Sequence, residues 1–345
     1  MPDGDRIMPV PVLVGRNEEK LVDLAGEYSV DRWTTDLDAV LADPDIEIYF
    51  DSQLTSLRAP AVEAAMAAGK AVYCEKPISE DLETARRLVG LAAESGVKNG
   101  IVQDKLFLPG LVKLRRLLDS GFFGRLLSVR GEFGYWVFEG DREPSQRPSW
   151  NYKVDEGGSI ILDMFPHWQY VIEGLFGEIL SVSVLATTHI PTRYEDGESY
   201  EATADDAAYA TFLLEDDIVV QINSSWATRV YRDELVVFHV DGVDGSAVAG
   251  LRECREQHRS ATPRPVWNPD VPNPIDFRSG WLEVPEVETP DNAFKVQWEA
   301  FLRHVVADEP FPWGFSSAAR GLELVEAAMR SWRERRWVDL SEVSE

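Results

Sequence analysis

The sequence predicts two domains: an α/β domain built on a parallel sheet, followed by an α+β domain with a mainly antiparallel sheet. Three observations lead to this prediction. The chain has 345 residues, which is enough for about two domains. Over its first third, short strand and helix signals alternate, which is typical of parallel strands joined by crossover helices. Beyond about residue 107, strand signals follow one another with few helices between them, as in antiparallel sheets. We therefore divide the chain into residues 1–106 and 107–345.

The elements of the first domain follow from apolar runs and from helix caps. Short apolar runs predict strands, and apolar stripes at helical spacing predict helices. Gly69 should end the third helix, because glycine readily adopts the left-handed backbone of a C-cap. The predicted strands are 10–14, 46–50, 71–74 and 100–103, and the predicted helices are 18–28, 35–42, 58–68 and 82–95.

The second domain is predicted to be rich in strands, with one central helix and two closing helices. Its strands are expected at 126–138, 180–186, 207–214, 218–226 and 235–240, and its helices at 160–176, 293–306 and 316–335. Seven prolines between residues 253 and 290 predict a long irregular segment there.

The composition excludes several classes of function. Acidic residues outnumber basic ones by 60 to 34, a net charge of −26, which repels nucleic acid and anionic membranes. Two cysteines cannot form a disulfide framework, and the N-terminus lacks a signal-peptide pattern, so a reducing cytoplasm is expected. The five histidines are scattered without ligand spacing, so no metal site is predicted.

Two segments carry residues that could do chemistry. In the first, Ala71-Val72-Tyr73-Cys74-Glu75-Lys76-Pro77, a lysine directly follows a strand and would lie at the ligand-binding edge of the sheet. The second runs from Gly157-Gly158 to Asp163 and His167, which at i and i+4 would share one helix face. A histidine beside a carboxylate can act as a general base near neutral pH. Taken singly, the spacings also fit a surface lysine and an ordinary surface pair.

Together, Glu-Lys-Pro after a strand and Gly-Gly, Asp and His about 80 residues later resemble the glucose–fructose oxidoreductase / inositol dehydrogenase family. The resemblance covers the chain from about Val10 onward. It implies a Rossmann domain followed by an open antiparallel domain, and an NAD- or NADP-dependent dehydrogenase acting on a secondary alcohol of a sugar, sugar acid or cyclitol. A redox-neutral variant, in which the sugar is oxidised only transiently, fits the same residues. The family commonly pairs through the face of its second sheet, so a homo-oligomer is expected.

The resemblance also implies roles for individual residues. Lys76 would polarise the reacting oxygen, His167 would take the hydroxyl proton, and Asp163 would bind a neighbouring hydroxyl or tune His167. Lys105, which follows the next strand, is a substrate-site candidate. Trp150 and Asn151 are two more, because an indole stacks on an apolar sugar face and an amide bonds to hydroxyls.

The cofactor contacts are expected at the strand ends. Arg16 and Asn17 follow the strand that normally discriminates between the two cofactors, and Arg16 favours NADP because it can meet a 2′-phosphate. Glu75 and Lys76 complete the expected cofactor contacts.

One feature departs from the family pattern. No Gly-x-Gly-x-x-Gly run occurs, and 10–16 looks like the family's second strand, so we expect the first strand and the phosphate loop to be missing. This departure leaves a second hypothesis open: a non-catalytic protein of the same fold that senses a sugar or a dinucleotide.

Overall fold

The computed structural model describes residues 7–344, and its first layer is parallel. β1 (Val12–Val14) pairs with β2 (Arg32–Thr34), and β3 (Ile48–Asp51), β4 (Ala71–Cys74) and β5 (Asn99–Ile101) form a three-stranded sheet in that order. All four residues of β4 are buried, as expected for a central parallel strand covered on both faces. The connecting helices are α1 (Glu18–Tyr28), α2 (Leu37–Ala42), α3 (Thr55–Ala67) and α4 (Leu82–Ser95).

Side-chain caps explain where three of these helices begin. Asn17, Asp36 and Asp81 each accept a hydrogen bond from a backbone N–H in the first turn of α1, α2 and α4. α3 differs, because it starts before its predicted position, at Thr55, without any side-chain cap. Gly69 adopts a positive φ of 73° just past the end of α3, as predicted.

The second layer is a nine-stranded sheet in the order β15-β14-β13-β12-β6-β11-β10-β7-β16. Its neighbouring strands are antiparallel except for β6 and β11, which are parallel. The strands are β6 (Leu126–Gly134), β7 (Ile179–Thr187), β10 (Ala207–Leu214), β11 (Val219–Ser225), β12 (Val236–Gly242), β13 (Gly245–Gly250), β14 (Cys254–His258), β15 (Leu282–Glu283) and β16 (Val338–Asp339). β8 (Thr192–Glu195) and β9 (Glu198–Glu201) form a separate hairpin.

Helices cover one face of this sheet. They are α5 (Pro109–Asp119), α6 (Ile160–Leu175), α8 (Phe315–Glu334) and the short α9 (Ser341–Ser344), whereas α7 (Ala293–Ala307) packs on the parallel layer. α6 packs on the sheet through aromatic contacts, with Phe165 against Phe212 and Trp168 against Phe238 at ring-centroid distances of 5.9 and 6.0 Å. This buried anchorage gives α6 a defined position relative to the sheet.

The C-terminal helices return to the parallel layer. Phe301 of α7 stacks on Tyr73 of β4 at 4.6 Å, and Trp298 meets the same ring edge-on at 4.7 Å. The parallel sheet is therefore covered partly by residues that come late in the chain. The division at residues 106 and 107 describes the change of sheet type along the sequence, and as a domain boundary it stays a prediction.

The second layer contains elements that were not predicted from the sequence. The segment predicted to be irregular, 253–290, has no strand or helix between residues 262 and 281, but it also contributes β14 and β15 to the edge of the large sheet. The helix α5 and the hairpin of β8 and β9 were not predicted at all. No helix among residues 7–344 has the length and apolar character needed to cross a membrane.

Candidate active site

Lys76 lies two residues past the end of β4, in the loop that crosses the carboxyl edge of the parallel sheet. Glu75 donates its backbone N–H to the main-chain oxygen of Asp51 at 2.9 Å, which extends the pairing with β3. The buried Arg58 pairs with Asp51 at 2.9 Å and donates to the main-chain oxygen of Pro77. The loop is thus held on both sides of Lys76.

The ammonium of Lys76 reaches the helix that carries the other two predicted catalytic residues. Its Nζ donates to Oδ1 of Asp163 at 2.6 Å and to the main-chain oxygen of Asp163 at 3.0 Å. The first domain and α6 therefore meet at this ion pair. Residues 87 positions apart in the sequence are brought together, as the resemblance implied.

The start of α6 is fixed by a short polar network. Ser159 is the N-cap and accepts from the backbone N–H of Leu162 at 3.1 Å. Asp205 accepts from Ser159 Oγ at 3.0 Å and from the backbone N–H of Ile161 at 3.1 Å. Asp205 was not among the predicted site residues. Its position shows that it anchors the first turn of the helix bearing Asp163.

Arg147 lies on the other side of Asp163. Its Nη1 donates to Oδ2 of Asp163 at 3.1 Å and to Oδ1 of Asn151 at 3.0 Å, and its guanidinium lies 4.2 Å from the ring centroid of Trp226. Asp163 therefore accepts from two cations, one on each carboxylate oxygen. Arg147 was not among the predicted site residues, and only its closeness to Asn151 in the sequence could have indicated it.

The two cations keep Asp163 ionised. Burial alone would raise the pKa of the Asp163 carboxyl, but the charges and hydrogen bonds of Lys76 and Arg147 outweigh it and lower the pKa below its usual value. The pKa of His167 is well below its usual value, because the ring is buried and because Lys76, Lys105 and Arg147 repel its cationic form. A neutral imidazole and an ionised carboxylate thus lie in the same site at neutral pH.

His167 does not form the pair with Asp163 that the i, i+4 spacing suggested. Its Nδ1 contacts the hydroxyl of Tyr170 at 2.6 Å, and within residues 7–344 this is the only hydrogen bond of the ring. Asp163 turns towards the two cations instead. The hypothesis of a directly coupled Asp–His pair is therefore wrong in its geometry, although both residues belong to one site.

The three predicted substrate residues are placed differently. Lys105 Nζ pairs with Asp104 at 2.8 Å, close to His167. Asn151 is buried and accepts a hydrogen bond from Arg147, so it orients Arg147 and is not itself open to a substrate. Trp150 is 38% exposed and remains available for an apolar ligand face.

The strand ends offer two different helix starts to a cofactor. At α1, Asn17 uses its side-chain oxygen to cap the helix, and Glu18 and Glu19 place negative charge in the first turn. At α3, no side chain caps the helix and no acid occupies the first turn. Free N–H groups at a helix start attract anions, so α3 suits a phosphate group and α1 does not.

Two other predicted cofactor residues lie at the same edge. Arg16 is exposed between β1 and α1. Glu75 is partly buried, and burial raises the pKa of its carboxyl even though Lys76 is its neighbour. An exposed guanidinium, a phosphate-compatible helix start and a strand-end lysine form a donor set that fits a nicotinamide dinucleotide.

The chain matches two family models that together span most of its length. Residues 8–102 match the oxidoreductase family with an NAD-binding Rossmann fold, and residues 111–248 match the GFO/IDH/MocA C-terminal domain. The first match begins at residue 8, so it does not support the expected absence of the first strand and phosphate loop. The described chain opens its parallel layer with the unit of β1, Gly15 and α1.

Two similar relatives are named as sugar dehydrogenases. The D-xylose dehydrogenase of Paenarthrobacter nicotinovorans is 55% identical over 99% of this chain and 89% of its own length. The levoglucosan dehydrogenase of Pseudarthrobacter phenanthrenivorans is 24% identical over 69% of this chain and 64% of its own length.

Solved structures share the fold. A levoglucosan dehydrogenase in complex with NADH and L-sorbose superposes with a TM-score of 0.81 at 20% identity, over 97% of this chain and 91% of that one. An aldose-aldose oxidoreductase from Caulobacter crescentus, with a TM-score of 0.76 at 19% identity, covers 95% of this chain and 90% of its own.

Proposed function

The chain belongs to the GFO/IDH/MocA family of NAD(P)-dependent oxidoreductases, and we propose that its substrate is D-xylose or a related aldopentose, with NADP preferred over NAD. The identity to a D-xylose dehydrogenase over nearly the whole chain supports the pentose. One structural observation supports catalysis above all others. The ammonium of Lys76 lies 2.6 Å from the carboxylate of Asp163, on the helix that also presents His167.

The proposed mechanism assigns one task to each group. Lys76 donates a hydrogen bond to the reacting sugar oxygen and stabilises the negative charge that develops on it. Neutral His167 takes the hydroxyl proton, and its lowered pKa leaves the ring unprotonated and able to accept at neutral pH. Asp163, held between Lys76 and Arg147, orients the lysine and can accept from a neighbouring sugar hydroxyl.

The cofactor supplies the acceptor for the hydride that leaves the carbinol carbon. In the proposed arrangement, the first turn of α3 would hold a phosphate of the cofactor, and Glu75 and Lys76 would hold its nicotinamide end. Arg16 would meet a 2′-phosphate, which is the reason for the preference for NADP.

The test is steady-state oxidation of a panel of sugars. The reaction is monitored by the formation of reduced nicotinamide. D-xylose should be the best substrate among D-xylose, L-arabinose, D-glucose and myo-inositol, and NADP should be used with higher kcat/KM than NAD. Arg16→Ala should reduce the preference for NADP without affecting kcat with NAD. Product analysis by NMR then identifies the oxidised carbon.

Two substitutions test the residue assignments. Lys76→Met and His167→Gln should each lower kcat by about 100-fold or more, as expected for loss of an electrostatic donor or a general base. Lys295→Met and His258→Gln make the same changes at exposed positions and should leave turnover unchanged. A folded chain that binds the cofactor but oxidises none of the sugars would instead support the non-catalytic sensing function.

A further inference from the structure

The hydroxyl of Tyr170 lies between His167 and Asp104. Tyr170 is three residues after His167 on α6, and its Oη lies 2.6 Å from Nδ1 of the imidazole. On its other side, Oη lies 3.5 Å from Oδ1 of Asp104, and the backbone N–H of Lys105 donates to it at 3.3 Å. All three side chains are buried, with 6% or less of each exposed.

The direction of the hydrogen bonds follows from what each atom needs. Within the described residues, Tyr170 provides the only donor for Oδ1 of Asp104, while Oδ2 receives Lys105 Nζ. A buried carboxylate oxygen without a donor costs about 1–3 kcal/mol or more. The proton of Tyr170 therefore points to Asp104. Burial, with Asp104 nearby, raises the pKa of Tyr170 well above its usual range, so the hydroxyl keeps this proton.

The remaining contact then has one possible direction. The hydroxyl of Tyr170 has one proton, which it donates to Asp104. At its 2.6 Å contact with His167 the hydroxyl oxygen must therefore accept, and Nδ1 must carry a hydrogen. Neutral imidazole carries a single ring hydrogen, which leaves Nε2 with a free lone pair. If Tyr170 donated to Nδ1 instead, Nε2 would be protonated and could not act as a base.

We propose that Tyr170 and Asp104 are positioning residues that hold His167 in the tautomer with hydrogen on Nδ1 and a lone pair on Nε2. The proposal rests on the proposed function only for the identity of the proton donor, the substrate hydroxyl. During oxidation, the proton of that hydroxyl moves to Nε2 while Nδ1 keeps its own. The resulting imidazolium then donates to Tyr170, with the Asp104 carboxylate behind it, and this offsets the repulsion from Lys76, Lys105 and Arg147.

The protein contains a matched control for this arrangement. Two residues past the end of β7, His189 contacts the hydroxyl of Tyr209 on β10 through its Nε2 at 3.1 Å. This pair is made of the same two residue types, but it is partly exposed and lies outside the site. Tyr170→Phe and Tyr209→Phe therefore remove the same atom from two Tyr–His pairs, of which only one serves catalysis.

The tautomer can be read directly from ring ¹⁵N chemical shifts of histidine-labelled protein at neutral pH, without substrate. The signals of His167 are assigned by their loss in His167→Gln, which is practical because the chain has five histidines. The wild type should show a protonated Nδ1 and an unprotonated Nε2 at His167. Tyr170→Phe and Asp104→Asn should both shift this ring towards the other tautomer, and Tyr209→Phe should change only His189.

Kinetics give the second measurement. Tyr170→Phe should lower kcat by about tenfold or more, because part of the population lacks a free Nε2, while KM for sugar and cofactor changes little. A wild-type ring with hydrogen on Nε2, or an unchanged tautomer in both Tyr170→Phe and Asp104→Asn, would overturn the proposal. The spectra need no turnover, so failure to oxidise D-xylose would contradict the proposed function and leave this inference standing.

Discussion

At the scale of single residues, the site depends on one imidazole that stays neutral among three cations. Burial is the largest cause of the low pKa of His167, and Lys76, Lys105 and Arg147 add to it. Two carboxylates balance these cations: Asp163 forms ion pairs with Lys76 and Arg147, and Asp104 forms one with Lys105. The neutral imidazole suits a general base, and it also makes the stability of the fold depend on pH.

The sign of this dependence follows from proton binding. In the unfolded chain the histidine titrates near 6.5, and in the folded chain its pKa is well below that value. Between these two pH values only the unfolded state binds the proton. The contribution of the neutral His167 to the stability of the fold is therefore complete above about pH 6.5 and is lost as the pH falls towards the folded pKa. The loss can reach about 1.4 kcal/mol per pH unit.

We therefore expect His167→Gln to flatten the pH dependence of the free energy of unfolding. Urea denaturation at about pH 7.5 and about pH 5.5 should show a larger loss of stability in the wild type than in the variant. His258→Gln, at an exposed position, should behave like the wild type. Equal losses in the wild type and His167→Gln would show that another group carries the dependence.

At the scale of elements, the decisive junction is the turn that leads into α6. Gly157 has a φ of 81°, which favours glycine, and the backbone of Gly158 passes directly against the preceding loop. A Cβ on Gly158 would lie 2.4 Å from the main-chain oxygen of Trp150 and 2.5 Å from the carbonyl carbon of Asn151. The two glycines therefore allow the loop with Asn151 and the helix with Asp163 to approach each other.

Gly158→Ala should destabilise the protein by about 1–3 kcal/mol, because main-chain atoms cannot move aside as a flexible side chain can. The added methyl group should also push the loop of Trp150 and Asn151 away from α6. This should lower kcat/KM, since the loop supports Arg147 through Asn151. Thermal unfolding and steady-state kinetics measure the two effects. Gly26→Ala is the matched control: its Cβ would meet nothing within 4 Å, and on α1 the change should be neutral or stabilising. Similar melting temperatures for both variants would contradict the steric argument.

The elements also show what a sequence can predict. The bounds of α1, β4, α4 and β10 were predicted correctly, because caps and short apolar runs are local signals. α5 was missed although its sequence carries local helix signals, with Pro109 at the first helical position and Leu111, Leu114 and Leu118 at helical spacing. Contacts with distant parts of the chain, such as that of Arg116 with the main-chain oxygen of Pro285, could not have been predicted in this way.

The contacts of the site also divide into those that the sequence could predict and those that it could not. Lys76, Asp163 and His167 were recognised as a set through a family resemblance, and the fold brings the lysine to the helix of the other two. Tyr170 lies at helical spacing from His167, so that contact could have been proposed from the sequence. The contact of Arg147 with Asp163 could not, because it depends on how the loop before α6 folds back.

At the scale of the whole molecule, the large sheet has one face covered by helices and one face open. Leu185 of β7 and Tyr209 of β10 are direct cross-strand neighbours on the open face and are 50% and 39% exposed. Val219 of β11 is exposed on the next strand at 37%. Apolar side chains on an open sheet face commonly mark an interface between subunits, so we expect a homodimer formed through this face.

The net charge of −26 acts against such pairing, because two copies repel each other. Salt screens this repulsion over about 10 Å at 0.1 M, so the dimer should become tighter as ionic strength rises, which is the behaviour of an interface held by apolar contacts. Light scattering after size exclusion should give twice the chain mass, and dilution at low salt should reveal the monomer first.

Leu185→Glu places two further negative charges across the interface and should give a monomer under all conditions. Val22→Glu adds the same charge to α1, at a site 48% exposed, and should leave the dimer intact. A wild type that is monomeric at high salt, or a dimeric Leu185→Glu, would exclude this face as the subunit interface.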